Sequence, residues 1–203
     1  MWYFRGMGRR VGSSVAKIVN FFYEVGTLRK VARSHRQTLL ADDLSDNIAS
    51  HSFRVSIIGY FLAQMEKVDS KKVAIMCLFH DVGEARSGDQ NWLNKRYVKV
   101  YEEEIHAEQL ARLPLNEELM STTKEYAERK TLEARIAKDA DLLDQILLLK
   151  EYAWRGNREA TAWLVGAEQA KRLMTKSGKK LAREIVRQKP SDWWKGLWTD
   201  KRR

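Results

Sequence analysis

The chain has 203 residues, of which 44% are hydrophobic and 32% charged, the balance of a globular protein with room for one sizeable core. A single cysteine, Cys77, excludes an intrachain disulfide scaffold, and only two prolines in this length favour long helices over many strands. The apolar stretch at 15–26 is interrupted by Lys17, Asn20 and Glu24, which argues against a signal peptide and against a membrane span. We therefore expect a cytoplasmic protein with Cys77 in its core.

The formal net charge is +10, and the basic excess lies in the first forty residues and in residues 171–203. Such a field attracts phosphates, whether they belong to nucleotides, to nucleic acid or to a membrane surface. A basic surface that only confers solubility fits equally well. Charge alone therefore does not identify a partner.

Periodic apolar residues predict helices along most of the chain, so we expect an all-α fold. A loose segment at 1–13 precedes a helix at 14–33, and a polar loop follows at 34–47. Ser45 or Asp46 is expected to cap the next helix. Its core-facing positions recur every three or four residues: His51, Val55, Ile58, Leu62 and Met65.

The next helix starts after Asp69 and carries His80 on its apolar side, and the residues from Asp81 onward end it. After a polar loop at 86–96, periodicity predicts further helices at 97–113, 117–129, 132–154 and 158–187. On the helix at 132–154, Asp141 lies beside the main apolar stripe. We expect one domain at 14–187 and an aromatic, basic tail at 188–203.

Four side chains with metal-binding chemistry fall on or beside these apolar faces: His51, His80, Asp81 and Asp141. Unpaired polar groups are costly there, and two imidazoles and two carboxylates that converge would be stabilised by a shared divalent cation. The ligand types leave Co, Mn, Mg, Fe, Ni and Zn open. Each histidine could also be a hydrogen-bonded core residue, and spacing alone does not decide between these interpretations.

The order of these motifs resembles the HD superfamily of metal-dependent phosphohydrolases, and within it the YfbR-like 5′-deoxynucleotidases. The matching segments are residues 49–55, 78–89 and 137–144, within a resemblance that runs from about residue 23 to residue 184. The resemblance implies a single HD-domain helical bundle whose metal site lies in the core between helices.

In that family one divalent cation is bound by the residues that match His51, His80, Asp81 and Asp141. HD enzymes with two metals use additional histidines between the dyad and the last aspartate, and only His106 lies there. Because His106 falls in a glutamate-rich segment, we expect it on the surface, and we expect a single metal.

The family's catalytic acidic pair matches Glu84 and Asp89, and the resemblance implies hydrolysis of nucleoside 5′-monophosphates, with deoxyribonucleotides as the expected substrates. The chemistry agrees, because a bound cation acidifies water and a nearby carboxylate can position that water or protonate the leaving 5′-oxygen. The division of these two roles between Glu84 and Asp89 stays open.

The family also has an Arg-Trp pair upstream of the first histidine. With a short insertion, Arg33 takes the arginine position and Ser34 follows it; without a gap, Arg36 takes it and Gln37 follows. We choose Arg33 as the substrate-binding residue. Neither alignment supplies the tryptophan that is linked to excluding the ribose 2′-hydroxyl, so selectivity for deoxyribonucleotides stays open.

Trp92 and Lys95 complete the predicted substrate-binding set. Trp92 can stack on a base or serve as a core or interface aromatic, and Lys95 or Arg96 can meet phosphate. The tryptophans at 193, 194 and 198 are expected to pack against the body or a second subunit, with a membrane surface as the weaker alternative.

Two other functions compete with the nucleotidase. The first is an HD hydrolase that acts on nucleoside triphosphates or cyclic nucleotides. The second is a non-enzymatic nucleic-acid-binding module that uses the basic ends, but no recognised binding motif is present and the buried His and Asp residues would have no purpose. We therefore expect a nucleotide substrate, no nucleic-acid partner and a homodimer.

Overall fold

The computed structural model describes residues 14–114 and 116–197, and within these ranges the regular structure is helical apart from one isolated bridge between Ala32 and Asn47. The α-helices in chain order are α1 (Ser14–Gly26), α2 (His35–Leu39), α3 (Ile48–Glu66), α4 (Ser70–Phe79), α5 (Glu84–Ser87), α6 (Glu102–Leu110), α7 (Glu117–Glu128), α8 (Leu132–Trp154), α9 (Arg158–Gly166), α10 (Glu168–Lys171) and α11 (Lys176–Arg187). Short 3₁₀ turns occupy Thr27–Lys30, Asn94–Arg96 and Asp192–Trp194. The all-α prediction is confirmed. No helix in the described part of the chain is long and apolar enough to cross a bilayer.

The cap of α3 lies one residue after Asp46 and two after Ser45, the two predicted caps. Its cap is Asn47, whose side chain accepts a hydrogen bond from Ser50 N at 3.1 Å, while Ser50 Oγ accepts one from Asn47 N at 3.3 Å. This reciprocal capping box satisfies two backbone donors that the helix itself cannot.

Met65, at the other end of α3, was wrongly placed on the core-facing side. Leu62 and Ala63 fill the core position at that end, and Met65 therefore turns outward.

Other boundaries also differ from the sequence prediction. The helix α1 ends at Gly26, where Thr27 Oγ1 donates to Glu24 O at 2.6 Å and the chain tightens into a 3₁₀ turn. The loop at 34–47 contains the short helix α2, and α6 begins at Glu102, where its acidic first turn meets the positive end of the helix dipole.

The region at 158–187 is helical, as predicted, and is divided into three helices. The backbone of Ala167 has φ 53°, which ends α9. Asp139 of α8 accepts hydrogen bonds from the backbone N–H groups of Met174 and Thr175, both at 2.8 Å, and from Thr175 Oγ1 at 2.7 Å. These bonds hold the segment before α11 out of a helical conformation, and Thr175 then caps α11.

The helices α3, α4 and α8 pack together and supply most of the largest core cluster. Gly59 permits the close approach of α3 to α4, because a methyl group at this position would lie 2.5 Å from Cys77 Sγ and 3.1 Å from Val73 Cγ1. Cys77 is fully buried, as predicted, and burial raises the pKa of its thiol far above the usual value. This packing brings the polar residues of the three helices to one place.

Candidate functional site

The four predicted metal ligands converge where α3, α4 and α8 meet. His51 lies in the first turn of α3, His80 and Asp81 follow the end of α4, and Asp141 lies near the middle of α8. Asp81 Oδ2 is 3.4 Å from His51 Nε2 and 3.1 Å from His80 Nε2, and Asp141 Oδ1 is 3.4 Å from His51 Nε2. The structure thus brings together all four side chains.

Both imidazole rings are held through their Nδ1 atoms. His51 Nδ1 lies 2.6 Å from Asp144 Oδ2, and His80 Nδ1 lies 2.6 Å from the carbonyl oxygen of Cys77. Both Nε2 atoms are buried, and neither has a hydrogen-bond partner among the described residues. A buried nitrogen without a partner is costly unless another group satisfies it, and an imidazole nitrogen beside carboxylate oxygens is a suitable metal ligand.

The geometry therefore fits a divalent cation. His51, His80 and Asp81 each offer a ligand atom, and these atoms lie within 4.8 Å of one another. Asp141 is outside this group of three, and its second oxygen accepts a hydrogen bond from Lys138 Nζ. Lys138 was not predicted as a site residue, because nothing about a lysine in a helix indicates from the sequence that its side chain faces a buried site.

The carboxylates of the site are held in their charged form. Burial raises the pKa of Asp81, but the charge of His80 and the contacts with both histidines outweigh it and hold that pKa well below its usual range. Burial also raises the pKa of Asp141, but Lys138 and the two histidines outweigh it and hold that pKa well below its usual range. Burial and Arg33 lower the pKa of His51, but its neighbouring carboxylates raise it well above the usual value. A bound cation would take the place of the proton that these carboxylates hold on His51.

A cavity of about 720 Å³ opens beside the four ligands. All five remaining predicted site residues line it, namely Arg33, Glu84, Asp89, Trp92 and Lys95. Its volume lies in the range of small-molecule binding sites.

The structure favours Arg33 over Arg36 at the upstream arginine position. Arg33 is buried, its Nη1 lies 3.8 Å from Asp81 Oδ2, and its Nε lies 3.9 Å from Asp89 Oδ2. Asp89 Oδ2 also accepts a hydrogen bond from Ser34 N at 2.7 Å. Arg36 instead directs Nε to Ala41 O at 3.4 Å, away from the lining residues.

Glu84 is half-buried, and its Oε2 has no hydrogen-bond partner within the described ranges. Burial, followed by the negative charges of Asp81 and Asp89, raises the pKa of Glu84 to about 10. Burial and the acidic neighbours therefore favour the neutral form of this carboxyl group.

Trp92 is 63% exposed on the cavity wall, which excludes the core alternative for this side chain. Lys95 lines the same wall, whereas the Arg96 guanidinium lies 5.9 Å from the ring centre of Tyr97. The 3₁₀ turn at Asn94–Arg96 separates the two basic side chains and turns only one of them to the cavity.

His106 was wrongly placed on the surface. It is half-buried against the turn that follows α4, where a methyl group on Gly83 would lie 3.0 Å from its Nε2, and it lines the cavity. Burial lowers its pKa. The glutamates of α6 are exposed, whereas His106 lies on the partly buried side of this helix.

The tail was predicted to pack against the body or against a second subunit. The first alternative does not hold for Trp193 and Trp194, and the second stays a prediction. Trp193 and Trp194 contact each other edge to face, with ring centres 5.0 Å apart, and both are exposed, at 73% and 42%. Packing of these two side chains into the body of the same chain is therefore wrong. Trp198 and the segment at 1–13 lie outside the described residues.

Comparison with known proteins gives a consistent result. The HD-domain family profile matches residues 25–185. A 5′-deoxynucleotidase of Vibrio vulnificus is 25% identical over 154 residues, which cover 69% of this chain and 78% of the relative.

Two solved structures share the fold. A protein of Pyrococcus horikoshii superposes with a TM-score of 0.69 at 26% identity, over 83% of this chain and 98% of the other. A protein of Magnetospirillum magnetotacticum, named a predicted metal-dependent phosphohydrolase, superposes with a TM-score of 0.61 at 26% identity, over 87% of this chain and 97% of the other. With the ligand geometry and the match over most of its length, the chain belongs to the HD-domain family of metal-dependent phosphohydrolases.

Proposed function

We propose that this protein removes phosphate from nucleoside 5′-monophosphates with the help of one divalent cation held by His51, His80, Asp81 and Asp141. The proposal rests on the two buried Nε2 atoms, which have no hydrogen-bond partner in the part of the chain that the structure describes and lie next to the carboxylates of the same site. When bound there, the cation supplies charge stabilisation for the phosphoryl group and an acidified water.

The cavity residues have distinct parts in this proposal. Arg33 and Lys95 bind the phosphate oxygens through charge-assisted hydrogen bonds. Glu84, whose half-buried carboxyl group lines the cavity, gives a proton to the leaving 5′-oxygen. Asp89 is fixed by the Ser34 amide and orients the attacking water.

The substrate class rests on the 5′-deoxynucleotidase relatives and on the cavity itself. Trp92 offers an exposed aromatic face for a nucleobase at the rim of the cavity. Nucleoside triphosphates are the second candidate, because Lys99, Arg129 and Arg172 also line the cavity and could contact further phosphates. Cyclic nucleotides have no comparable support.

A metal-supplemented phosphate-release screen over mono-, di- and triphosphates, in deoxy and ribo forms, tests the proposal. We expect orthophosphate from monophosphates, and we expect His51→Ala and Asp81→Ala to abolish both metal binding and turnover. His106→Ala is the matched control, since it removes an imidazole from the same cavity but should keep the metal. Full activity of either ligand variant would refute the site, and release of triphosphate or pyrophosphate would favour the second candidate.

We also propose a homodimer, supported by an uncharged outer face of α3. The exposed residues of this helix are polar but uncharged at Ser50 and Gln64 and are otherwise apolar or aromatic: Phe53, Ile57, Tyr60, Phe61 and Met65. A helix that is apolar on all sides is normally covered. An uncharged patch can also pair with itself across a two-fold axis without adding to the repulsion between two basic chains.

Sedimentation equilibrium tests this arrangement. Phe61→Glu should shift the protein towards monomer, whereas Leu44→Glu, at an equally exposed position outside α3, should not. A monomeric wild-type protein at micromolar concentration would refute the dimer.

We further propose that the hydrolase domain spans residues 14–187, with the tail at 188–203 outside it. We also propose that the protein works in the cytoplasm, where a cysteine without a disulfide partner, such as Cys77, is typical.

A further inference from the structure

The proposed metal centre is supported from behind by an aspartate that does not face the cavity. Asp144 is 3% exposed, and its Oδ2 lies 2.6 Å from His51 Nδ1. It follows Asp141 by three residues, so both carboxylates lie on the same side of α8 and both contact His51, one at each ring nitrogen.

Asp144 is in turn held by Arg54. The Nε atom of Arg54 donates to Asp144 Oδ1, and its Nη2 donates to the Asp144 carbonyl oxygen at 3.3 Å. The third nitrogen, Nη1, donates to Glu151 Oε1 at 2.7 Å. Because Asp144 and Glu151 are seven residues apart on α8, a single side chain of α3 fixes the register of α3 against about two turns of α8.

We propose that Asp144 is a positioning residue for the metal centre, anchored by Arg54 and Glu151. It accepts a hydrogen bond from the Nδ1–H group of His51. This bond fixes the tautomer and the orientation of the ring, so that Nε2 faces Asp81 and Asp141. The proposal rests on the proposed metal function, and it adds residues that act through His51 without touching the cation. Partners of this kind commonly change metal affinity about 10–100-fold when they are altered.

The alternative is an ion pair that only joins two helices. Asp139 offers a matched comparison, because it lies on the same helix, is fully buried and also accepts several hydrogen bonds. Its partners, Met174 and Thr175, belong to the segment before α11 and not to the metal site. A purely structural role for Asp144 therefore predicts that Asp139→Asn and Asp144→Asn behave alike.

Calorimetric titration with Co²⁺ separates the two roles in the full-length protein. An asparagine at 144 keeps the size of the side chain but offers its amide N–H₂ to either Arg54 or His51, both of which need an acceptor. We expect Asp144→Asn to weaken Co²⁺ binding about 10–100-fold and to alter the absorption spectrum of the bound Co²⁺. Asp139→Asn should lower the unfolding midpoint and leave Co²⁺ affinity unchanged.

Arg54→Gln provides a second variant in case Asp144→Asn does not fold, since the Arg54 side chain is partly exposed. It should weaken Co²⁺ binding about tenfold, because Asp144 loses its anchor. Wild-type Co²⁺ affinity in a folded Asp144→Asn variant would overturn the proposal. If Asp144→Asn does not fold, wild-type Co²⁺ affinity in Arg54→Gln would overturn it. That outcome is distinct from failure of the proposed function, in which the wild type itself does not bind Co²⁺ or His51→Ala binds it equally well.

Discussion

Gly59 allows the strictest test of the packing that assembles the site. It lies in the middle of α3, and the methyl group of an alanine would come 2.5 Å from Cys77 Sγ, 3.1 Å from Val73 Cγ1 and 3.6 Å from Ala140 Cβ. The first distance is far shorter than a normal van der Waals contact. Gly59→Ala must therefore push α3 away from α4 or displace a fully buried side chain.

The expected magnitude combines two opposing effects. Overpacking a dense core costs about 1–3 kcal/mol. Alanine is better than glycine inside a helix by about 0.5–1 kcal/mol. We therefore expect Gly59→Ala to lower the free energy of unfolding by about 1–2 kcal/mol, and to weaken metal binding as well because His51 lies on the same helix.

Urea unfolding followed by circular dichroism measures the change. Gly26→Ala is the control, because Gly26 has helical backbone angles and no atom of the described residues lies within 4 Å of the new methyl group, so it should stabilise by about 0.4–1 kcal/mol. Adding Cys77→Ala to Gly59→Ala should recover part of the loss, since it removes the nearest atom. If Gly59→Ala stabilised the protein as Gly26→Ala does, the account of this helix contact would be wrong.

Three further predictions concern single side chains. Burial raises the pKa of Asp46 to about 6, so its contribution to stability is full below pH 4 and is lost as pH rises through 6; Asp46→Asn should therefore stabilise the protein by roughly 1–2 kcal/mol at pH 8 and by nothing near pH 3.5, as measured by unfolding at both values. Asn47→Ala removes the capping box of α3 and should cost about 1 kcal/mol in the same assay, whereas Ser45→Ala, at the position predicted from sequence, should cost less. Trp92→Ala should raise KM about tenfold with little change in kcat or in the unfolding midpoint, and an unchanged KM would exclude base stacking by this residue.

The helices that carry the site were predictable because apolar periodicity is strong where a helix is buried on one long face. The bounds of α8, Leu132–Trp154, agree with the prediction at both ends, and α4 begins after Asp69 as expected. Prediction failed where tertiary hydrogen bonds override local preference. Residues 158–187 were predicted to be helical throughout, yet Asp139 accepts hydrogen bonds from the backbone N–H groups of Met174 and Thr175 and keeps the segment before α11 out of the helix.

The site residues also divide into those that could be predicted from the sequence and those that could not. Metal-binding residue types on core-facing positions were visible in the sequence, and so the four ligands could be named. The residues that hold those ligands were not predicted, because Lys138, Asp144 and Arg54 are of residue types that are common on protein surfaces. Only the fold shows that Asp144 contacts His51, that Lys138 contacts Asp141 and that Arg54 holds Asp144.

The charge balance of the site connects these observations. Carboxylates crowd the inner end of the cavity, where Arg33 Nη1 lies 3.8 Å from Asp81 Oδ2 and Lys138 Nζ donates to Asp141. Glu84 responds to the excess with a pKa raised to about 10, which means that burial and its acidic neighbours make a further negative charge unfavourable there. A divalent cation on the two Nε2 atoms would relieve that excess and satisfy the unpartnered nitrogens at the same time. The carboxylates that concentrate negative charge at the inner end of the cavity are thus among the residues that would bind the metal and act on a phosphate ester.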